Sequence, residues 1–372
     1  MTPIQSSDGA KWLRGLWVKI LSHQVSVIMS LLVVVSFLLR VLPLLHSSTP
    51  PGDAFVHYKY SIALLDGRLS VPVEAGKTGN MVELYYPPLF HLISLAFFLV
   101  FPRVDPYAIM RILATAMAAL QMIPVYLIVK RASGSSAGGL LGSYALLATR
   151  SDCEMLCWGG YANIAGLLLA ASLVYFVMTE RLVLSAIFSA AIGLTHHLST
   201  LFMVAVLVPY FAVLLWRKKQ ISKSLAGVII GGAVAYATFY RFAWQSIYHY
   251  YSNFSPVYNQ SLYMTPYILE QVGPLLLLCA VLGAAFLCTR GGRGFFQGKE
   301  LLLIWVIAPF LLAYAYLFGV QWHGVRWIAF IPQPLAAWTG ISLGFFGKKK
   351  TAFIMLALLF TIQLFFYIAD IF

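Results

Sequence analysis

The sequence predicts an all-α polytopic membrane protein of about eleven transmembrane helices, with interfacial helices in a long first outer loop, and three observations carry that class. Of the 372 residues, 61% are hydrophobic and 10% charged, with mean hydropathy +0.84. Soluble domains hold about a quarter charged residues, so a soluble protein is excluded. The apolar residues fall in separate runs of about 15 to 25, the length a helix needs to cross roughly 30 Å of hydrocarbon. None has the alternation, over about ten residues, of a membrane barrel strand.

In chain order the spans fall near 24–45, 107–129, 135–149, 162–178, 182–196, 198–216, 224–242, 270–289, 301–318, 327–346 and 352–369. The net charge of +13 is informative through its placement. With the N-terminus (Lys11, Arg14, Lys19) in the cytoplasm, the inner loops carry Lys130, Arg131, Arg181, Arg217, Lys218, Lys219, Lys223, Arg290, Arg293, Lys299 and Lys348 to Lys350. That side then holds 16 of the 25 basic residues against three of the 12 acidic ones, Asp8, Glu180 and Glu300, which leaves nine of each outside. The whole positive excess lies on the cytoplasmic face, as the positive-inside rule requires, so the basic character calls for no nucleic-acid partner. The expected location is the plasma membrane or its equivalent. The first apolar run is long and lacks a small-x-small cleavage site, so it reads as a retained span rather than a signal peptide. The chain reads as a single transmembrane domain, 1–372, with no repeat and no low-complexity linker. Cys153 and Cys157 fall in an outer loop and Cys279 and Cys288 in a span, too sparse for a disulfide framework.

The outer segment 46–106 is the largest stretch outside the spans. It holds Pro50-Pro51-Gly52-Asp53-Ala54-Phe55-Val56-His57-Tyr58, an amphipathic run to Leu65, a turn at Asp66-Gly67, a loop with Glu74 and Glu83, and then Tyr85-Tyr86-Pro87-Pro88-Leu89-Phe90-His91. The apolar run 88–101 reaches only about 21 Å as a helix, too short to cross. Segments 54–65 and 88–101 are therefore expected to lie as helices in the outer interface, with Phe55, Ile62 and Leu65 toward lipid.

Three features in order carry a family resemblance. An Asp follows the first span (Gly52-Asp53), Tyr86-Pro87-Pro88-Leu89 opens a second outer helix, and a second outer loop runs from Arg150 through Asp152, Glu154 and Gly159-Gly160-Tyr161-Ala162 to Asn163. On these, residues 1–216 resemble the conserved module of GT-C type integral-membrane glycosyltransferases, the superfamily of oligosaccharyltransferase catalytic subunits, protein O-mannosyltransferases and aminoarabinose transferases. Residues 217–372 match only as additional transmembrane helices. The resemblance implies an enzyme that moves a sugar from a polyprenyl-phosphate or polyprenyl-diphosphate donor to a protein, lipid or glycan acceptor on the outer face. It also implies a Gly-x-Tyr-Asp pattern that helps hold a divalent metal such as Mg or Mn. Here Ala162 stands at the Asp position, so a metal, if present, would fall to Asp53, Asp152 and Glu154.

Such chemistry needs a carboxylate to orient or deprotonate the acceptor and a cationic wall for the departing phosphate. Asp53 fits the first role at the membrane rim, close to His57, and also fits a plain helix cap. For the phosphate, the last outer loop brings His323 and Arg326 together between two Trp, where a guanidinium pairs phosphate oxygens in a fork and where an interfacial anchor looks the same. His196-His197 lies where the chain turns back between short apolar arms, so the pair is expected to line a cavity, although adjacent residues cannot face one way on a helix. Asp53 is thus the expected catalytic carboxylate. The substrate-binding candidates are His57, Glu83, Tyr86, His91, Arg150, Asp152, Glu154, Tyr161, Asn163, His196, His197, His323 and Arg326, with Arg111 a further phosphate candidate. Glu74, Glu83, Asp152 and Glu154, taken singly, read as solvated loop charges. The tyrosines of the loop 243–268 read first as interfacial anchors, and its Asn253-Phe254-Ser255 and Asn259-Gln260-Ser261 match glycosylation acceptors. The competing class is a transporter or a non-catalytic lipid-carrier-binding protein. Carriers place polar sites near the midplane and often duplicate their halves, whereas here the polar residues crowd the outer face.

Overall fold

The computed structural model describes residues 8–45, 52–75, 80–252, 261–289, 298–318, 324–346 and 350–371. The loop bearing His323, Asn253-Phe254-Ser255, Asn259-Gln260 and Tyr258 lie outside the described residues.

The molecule is a bundle of helices. Helix α1 (Asp8–Leu45) turns Val27, Leu31, Val34 and Leu38 outward and buries Ser36 and Arg40 on the opposite face. Helix α2 (Gly52–Leu65) and helix α3 (Leu89–Val100) match the two expected interfacial helices, with Phe55 and Leu65 exposed. The segment between them, read from sequence as a loop, is instead an antiparallel hairpin of β1 (Ser70–Ala75) and β2 (Asn80–Tyr85), with Val73 opposite Val82. Val71 and Leu84 pack under it on Tyr60 and Ala63 of α2, and the Tyr60 hydroxyl donates to the Leu84 carbonyl. That apolar contact is what a short hairpin needs to persist.

Helices α4 (Pro106–Leu120) and α5 (Met122–Ser133) form one long span. Asp105 caps it, accepting from the Ala108 amide at 3.0 Å, Pro106 opens it, and Gly134 closes it at φ +71. Helix α6 (Ser136–Leu147) precedes the short α7 (Ser151–Trp158) and the buried α8 (Tyr161–Met178). Then come α9 (Leu182–Gly193), α10 (His197–Lys218) and α11 (Lys223–Ala235), the last continuing through a π turn at 236–240 into α12 (Arg241–Ser252). The chain finishes with α13 (Ser261–Val272), α14 (Pro274–Thr289), α15 (Lys299–Ala313), α16 (Gly324–Ile328), α17 (Pro332–Phe346) and α18 (Lys350–Ile371).

Small residues set the closest helix crossings, as expected where lipid removes the hydrophobic drive between helices. A Cβ on Gly138 of α6 would stand 2.6 Å from the Gly340 carbonyl of α17, and one on Gly231 of α11 would stand 2.2 Å from the Ala186 carbonyl of α9. Among the described residues, five helices have the length and apolarity to cross a membrane, or six if a bent pair counts as one span. The expected count of eleven therefore depends on shorter apolar helices such as Ser136–Leu147 and Leu182–Gly193. The expected span 270–289 is that bent pair: α13 and α14 meet at 91°, because Gly273 takes φ +89 and Pro274 has no amide hydrogen with which to continue the helix.

Candidate active site

Asp53 is in the first turn of α2, and Arg326 is in α16, 273 residues later. The Arg326 Nη2 donates to Asp53 Oδ2 at 3.2 Å, with the two side chains 31% and 40% exposed. The guanidinium also rests over the Trp158 ring, 5.1 Å from its centre. Gly159, which ends α7 at φ +89, lets the chain press on the start of α2: a Cβ there would lie 2.5 Å from the Ala54 nitrogen and 3.1 Å from the Asp53 carbonyl carbon. The second loop thus positions the first-loop carboxylate through backbone packing.

Beside Arg326 opens a cavity of about 300 Å³, lined also by Glu154, Trp158, Tyr267 and Gln271. The Tyr267 hydroxyl donates to Glu154 Oε1 at 3.3 Å. Arg150 holds Glu270 at 3.1 Å, and its backbone amide donates to the Gln271 carbonyl at 3.0 Å, which ties α7 to the end of α13.

Asp152 departs from its reading as a solvated charge. It is buried and accepts from Arg40 Nη2 at 3.2 Å, while Arg40 also donates from Nη1 to Ser36 Oγ at 2.5 Å. Burial raises the Asp152 carboxyl above its ordinary value although Arg40 pulls the other way, so desolvation dominates. The physical reason for the difference is that α7 folds back against α1, which no local pattern encodes.

A second cluster surrounds Tyr86. Its ring centre is 5.3 Å from that of His57, 5.2 Å from His91, 6.0 Å from His196 and 4.8 Å from His197. His196 and His197 approach the same ring, although adjacent residues diverge on a helix. His196 is not helical: it is the extended cap of α10, at φ −157, and its ring nitrogen accepts from the Ser199 amide at 3.4 Å. The Leu89 amide donates to the Leu194 carbonyl at 2.7 Å, which holds the Tyr-Pro-Pro-Leu turn against that cap. The His91 Nδ1 lies 3.1 Å from the Pro87 carbonyl and so carries the hydrogen, which leaves Nε2 to accept from the His57 Nδ1 at 3.0 Å. Burial, with Arg326 adding to it, lowers the His57 pKa to about 3, and a hydrogen bond to the backbone of Gly159 acts only partly against this. His91 is lowered well below the ordinary value for the same first reason, with His57 adding to it. These rings are neutral at pH 7.

The remaining candidates are placed as follows. Tyr161 is buried with its ring centre 6.2 Å from that of His57, and Asn163 is buried inside α8, donating to the Met155 sulfur at 3.2 Å and accepting from the Ser199 hydroxyl at 3.4 Å. Glu83 is exposed on β2, where its carbonyl accepts from Ser246, and it joins neither the cavity nor the histidine cluster. The Glu74 side chain and His323 lie outside the described residues. Cys153, Cys157 and Cys279 are free thiols. The carboxylates expected to share a metal each face a different partner, and among the described residues no three His, Cys, Asp or Glu side chains stand where one ion would reach them. Among the described residues these three carboxylates do not form a divalent-metal site. Sequence reading missed Arg40, Trp158, Tyr267 and Gln271. Arg40 carried a legible signal, a lone charge near the end of an apolar span, whereas the others carried none.

The chain is a helical bundle with two short helices after its first span and a carboxylate–guanidinium pair at one end. No family model and no curated protein matches the chain. Among solved structures it is similar to the crystal structure of ArnT from Cupriavidus metallidurans bound to undecaprenyl phosphate, with TM-score 0.57 and 14% identity over 88% of this chain. The chain spans 60% of the length of that structure, so the likeness establishes the shared fold.

Proposed function

We propose that the protein is a membrane glycosyltransferase that moves a sugar from a polyprenyl-phosphate or polyprenyl-diphosphate donor to an acceptor on the extracytoplasmic face. The observation that carries this reading is the half-exposed Arg326–Asp53 pair beside a cavity, in a fold shared with a protein crystallised with undecaprenyl phosphate. In the resting state each charge neutralises the other. An arriving donor phosphate offers Arg326 a second, bidentate anion and frees Asp53 toward the acceptor. The acceptor hydroxyl or amine then attacks the anomeric carbon, its proton passes to Asp53, and the bond from that carbon to the phosphate oxygen breaks with the electron pair leaving on the lipid phosphate. Arg326 takes up the charge that develops there, the task of a preorganised electrostatic site.

An apolar groove of about 540 Å³ between α8, α9, α10 and α11, lined by Ile192, Leu207, Phe211 and Ile229, supports the lipid half of the reading. It reaches Thr200 and Tyr240, whose hydroxyls bond at 3.1 Å, and Thr200 also donates to the His196 carbonyl under the histidine cluster. The carrier reading draws on the bent α13–α14 pair, since transporters use broken helices, and it requires flux without bond cleavage. The deciding experiment incubates the reconstituted chain with polyprenyl-phosphate hexose and a mixed acceptor extract and follows release of free polyprenyl phosphate. Release that depends on Asp53 supports the transferase. Transport of the intact lipid or sugar with no release overturns it.

A further inference from the structure

Gln271 is 2% exposed, lines the 300 Å³ cavity, and among the described residues neither its amide nitrogen nor its amide oxygen has a hydrogen-bond partner. Buried amides are ordinarily satisfied, so an amide left open beside a cavity marks a place for a ligand. Its backbone is anchored on both sides. The Gln271 carbonyl accepts from the Arg150 amide at 3.0 Å, and two residues later Gly273, at φ +89, ends the helix and turns the chain through 91°. The side chain is held at the end of a helix whose main chain is already committed.

The walls around it are graded. Arg326, 31% exposed, stands at the outer edge, while Gln271 lies at the buried side with the Glu154–Tyr267 pair and Trp158 also lining the space. An amide offers two donors and an acceptor, and the Glu154 carboxylate keeps acceptor positions beyond the one Tyr267 uses. That set matches a polyol, each hydroxyl of which both donates and accepts. It does not match a phosphate, which only accepts and would meet the Glu154 charge. The volume is at the small end of the range for ligand pockets, suited to one ring rather than a chain.

We propose that this cavity receives the glycosyl head of the donor and that the Gln271 amide reads one of its hydroxyls. The proposal rests on the reading of the protein as a lipid-linked sugar transferase and adds to it a specificity-determining residue. Gln271 takes no part in the proton or charge transfer assigned to Asp53 and Arg326. A site built to hydrogen-bond a hydroxyl discriminates strongly against ligands that lack it, because its own polar group is then left buried and unpaired.

The test uses the purified full chain in detergent with three probes: bare polyprenyl phosphate, polyprenyl-phosphate hexoses, and methyl hexopyranosides with their single-deoxy analogues. The parent is expected to bind a hexosyl lipid at least about tenfold more tightly than the bare lipid, and Gln271→Met to erase that difference while binding the bare lipid as before. Because the amide has no partner to lose, Gln271→Met is expected to melt at the parent's temperature or higher. A lower melting temperature, or a variant that does not fold, makes the amide structural and overturns the proposal. A second readout needs no variant: one single-deoxy pyranoside should bind the parent at least about tenfold more weakly than its fully hydroxylated form. Equal binding of bare and glycosylated lipid by the parent overturns the sugar chamber and leaves the carrier-phosphate reading standing. Binding of methyl pyranosides in a Gln271-dependent way, with no lipid bound, keeps the chamber and removes the lipid donor. Binding of none of the probes overturns both.

Discussion

Two carboxylate–guanidinium pairs of the same length, 3.2 Å, stitch distant segments together at the same end of the bundle, and they do different work. Arg40 and Asp152 are 2% and 5% exposed, whereas Arg326 and Asp53 are 31% and 40% exposed. The first pair lies between α1 and α7 and lines neither of the two cavities described above. The second edges one, and a phosphate or an acceptor can reach it. Burial separates an ion pair that holds a fold from one that can exchange partners, because desolvation makes the loss of either buried partner costly while water compensates the exposed one.

The sharpest break of this comparison removes one buried partner. Asp152→Leu strands Arg40, which cannot shed its proton, and is expected to cost about 3–5 kcal/mol of stability, read as a large drop in melting temperature or yield. Arg40→Met should be milder at low pH, since burial already favours the protonated Asp152 carboxyl. The double variant Arg40→Met with Asp152→Leu should recover most of the loss, because an apolar pair avoids the desolvation of both charges. A double variant as unstable as Asp152→Leu alone would mean that the pair contributes geometry that packing cannot replace.

At the exposed pair the expected order reverses. Asp53→Asn keeps the size of this first-turn side chain and gives up only a half-exposed ion pair, so stability should change by less than about 1 kcal/mol, while sugar transfer falls roughly a hundredfold, about 2.7 kcal/mol in the barrier. Arg326→Lys keeps the point charge and loses the fork, so turnover should fall with folding preserved. Unchanged transfer in both variants would reduce the pair to a cap and an interfacial anchor.

Acid should act next. His57 is held neutral with a pKa of about 3, below its unfolded value near 6.5, so the unfolded chain binds the extra proton between those limits. Stability is therefore full above the unfolded value and declines as pH falls through it, by about 2 kcal/mol at pH 5 from His57 alone. His91 shifts the same way and adds to the decline. Melting temperatures from pH 8 to 5 check this, and His57→Gln should flatten the slope. At Gly159→Ala a left-handed residue gains a Cβ 2.5 Å from the Ala54 nitrogen, which should cost about 1–2 kcal/mol for the conformation and more for the backbone shift that the contact forces. Its value as a probe is that transfer should suffer more than folding, because the backbone that shifts carries Asp53.

Sequence and structure part company at identifiable residues. The interfacial helices were legible because length and amphipathicity are local, and Asp53 because it follows the first span. The hairpin 70–85 was not legible as strands: Val71, Val73, Val82 and Leu84 alternate, but a stretch so short becomes a hairpin only against Tyr60 and α12. The His196–His197 pair, expected to line a cavity, is buried against Tyr86 and lines neither cavity described above, and both residues reach that ring because the cap residue leaves the helix. Gln271 gave no signal at all, since an isolated Gln before a Gly-Pro break looks like any loop residue.

By itself the sequence determined that this chain is a helical membrane protein, where most of its long apolar helices lie, and which loops gather carboxylates, histidines and aromatics. Those properties follow from the solvation of short segments, and a residue's solvation is decided largely by itself and its near neighbours. Only the tertiary structure decided the partners. Asp152 lies 112 residues from Arg40, and Asp53 lies 273 from Arg326. Nothing in a one-dimensional pattern distinguishes those pairings from their exchange. The exchange is excluded by packing, because Gly159 admits the start of α2 beside Trp158 and Arg326, while α7 carries Asp152 to the buried face of α1.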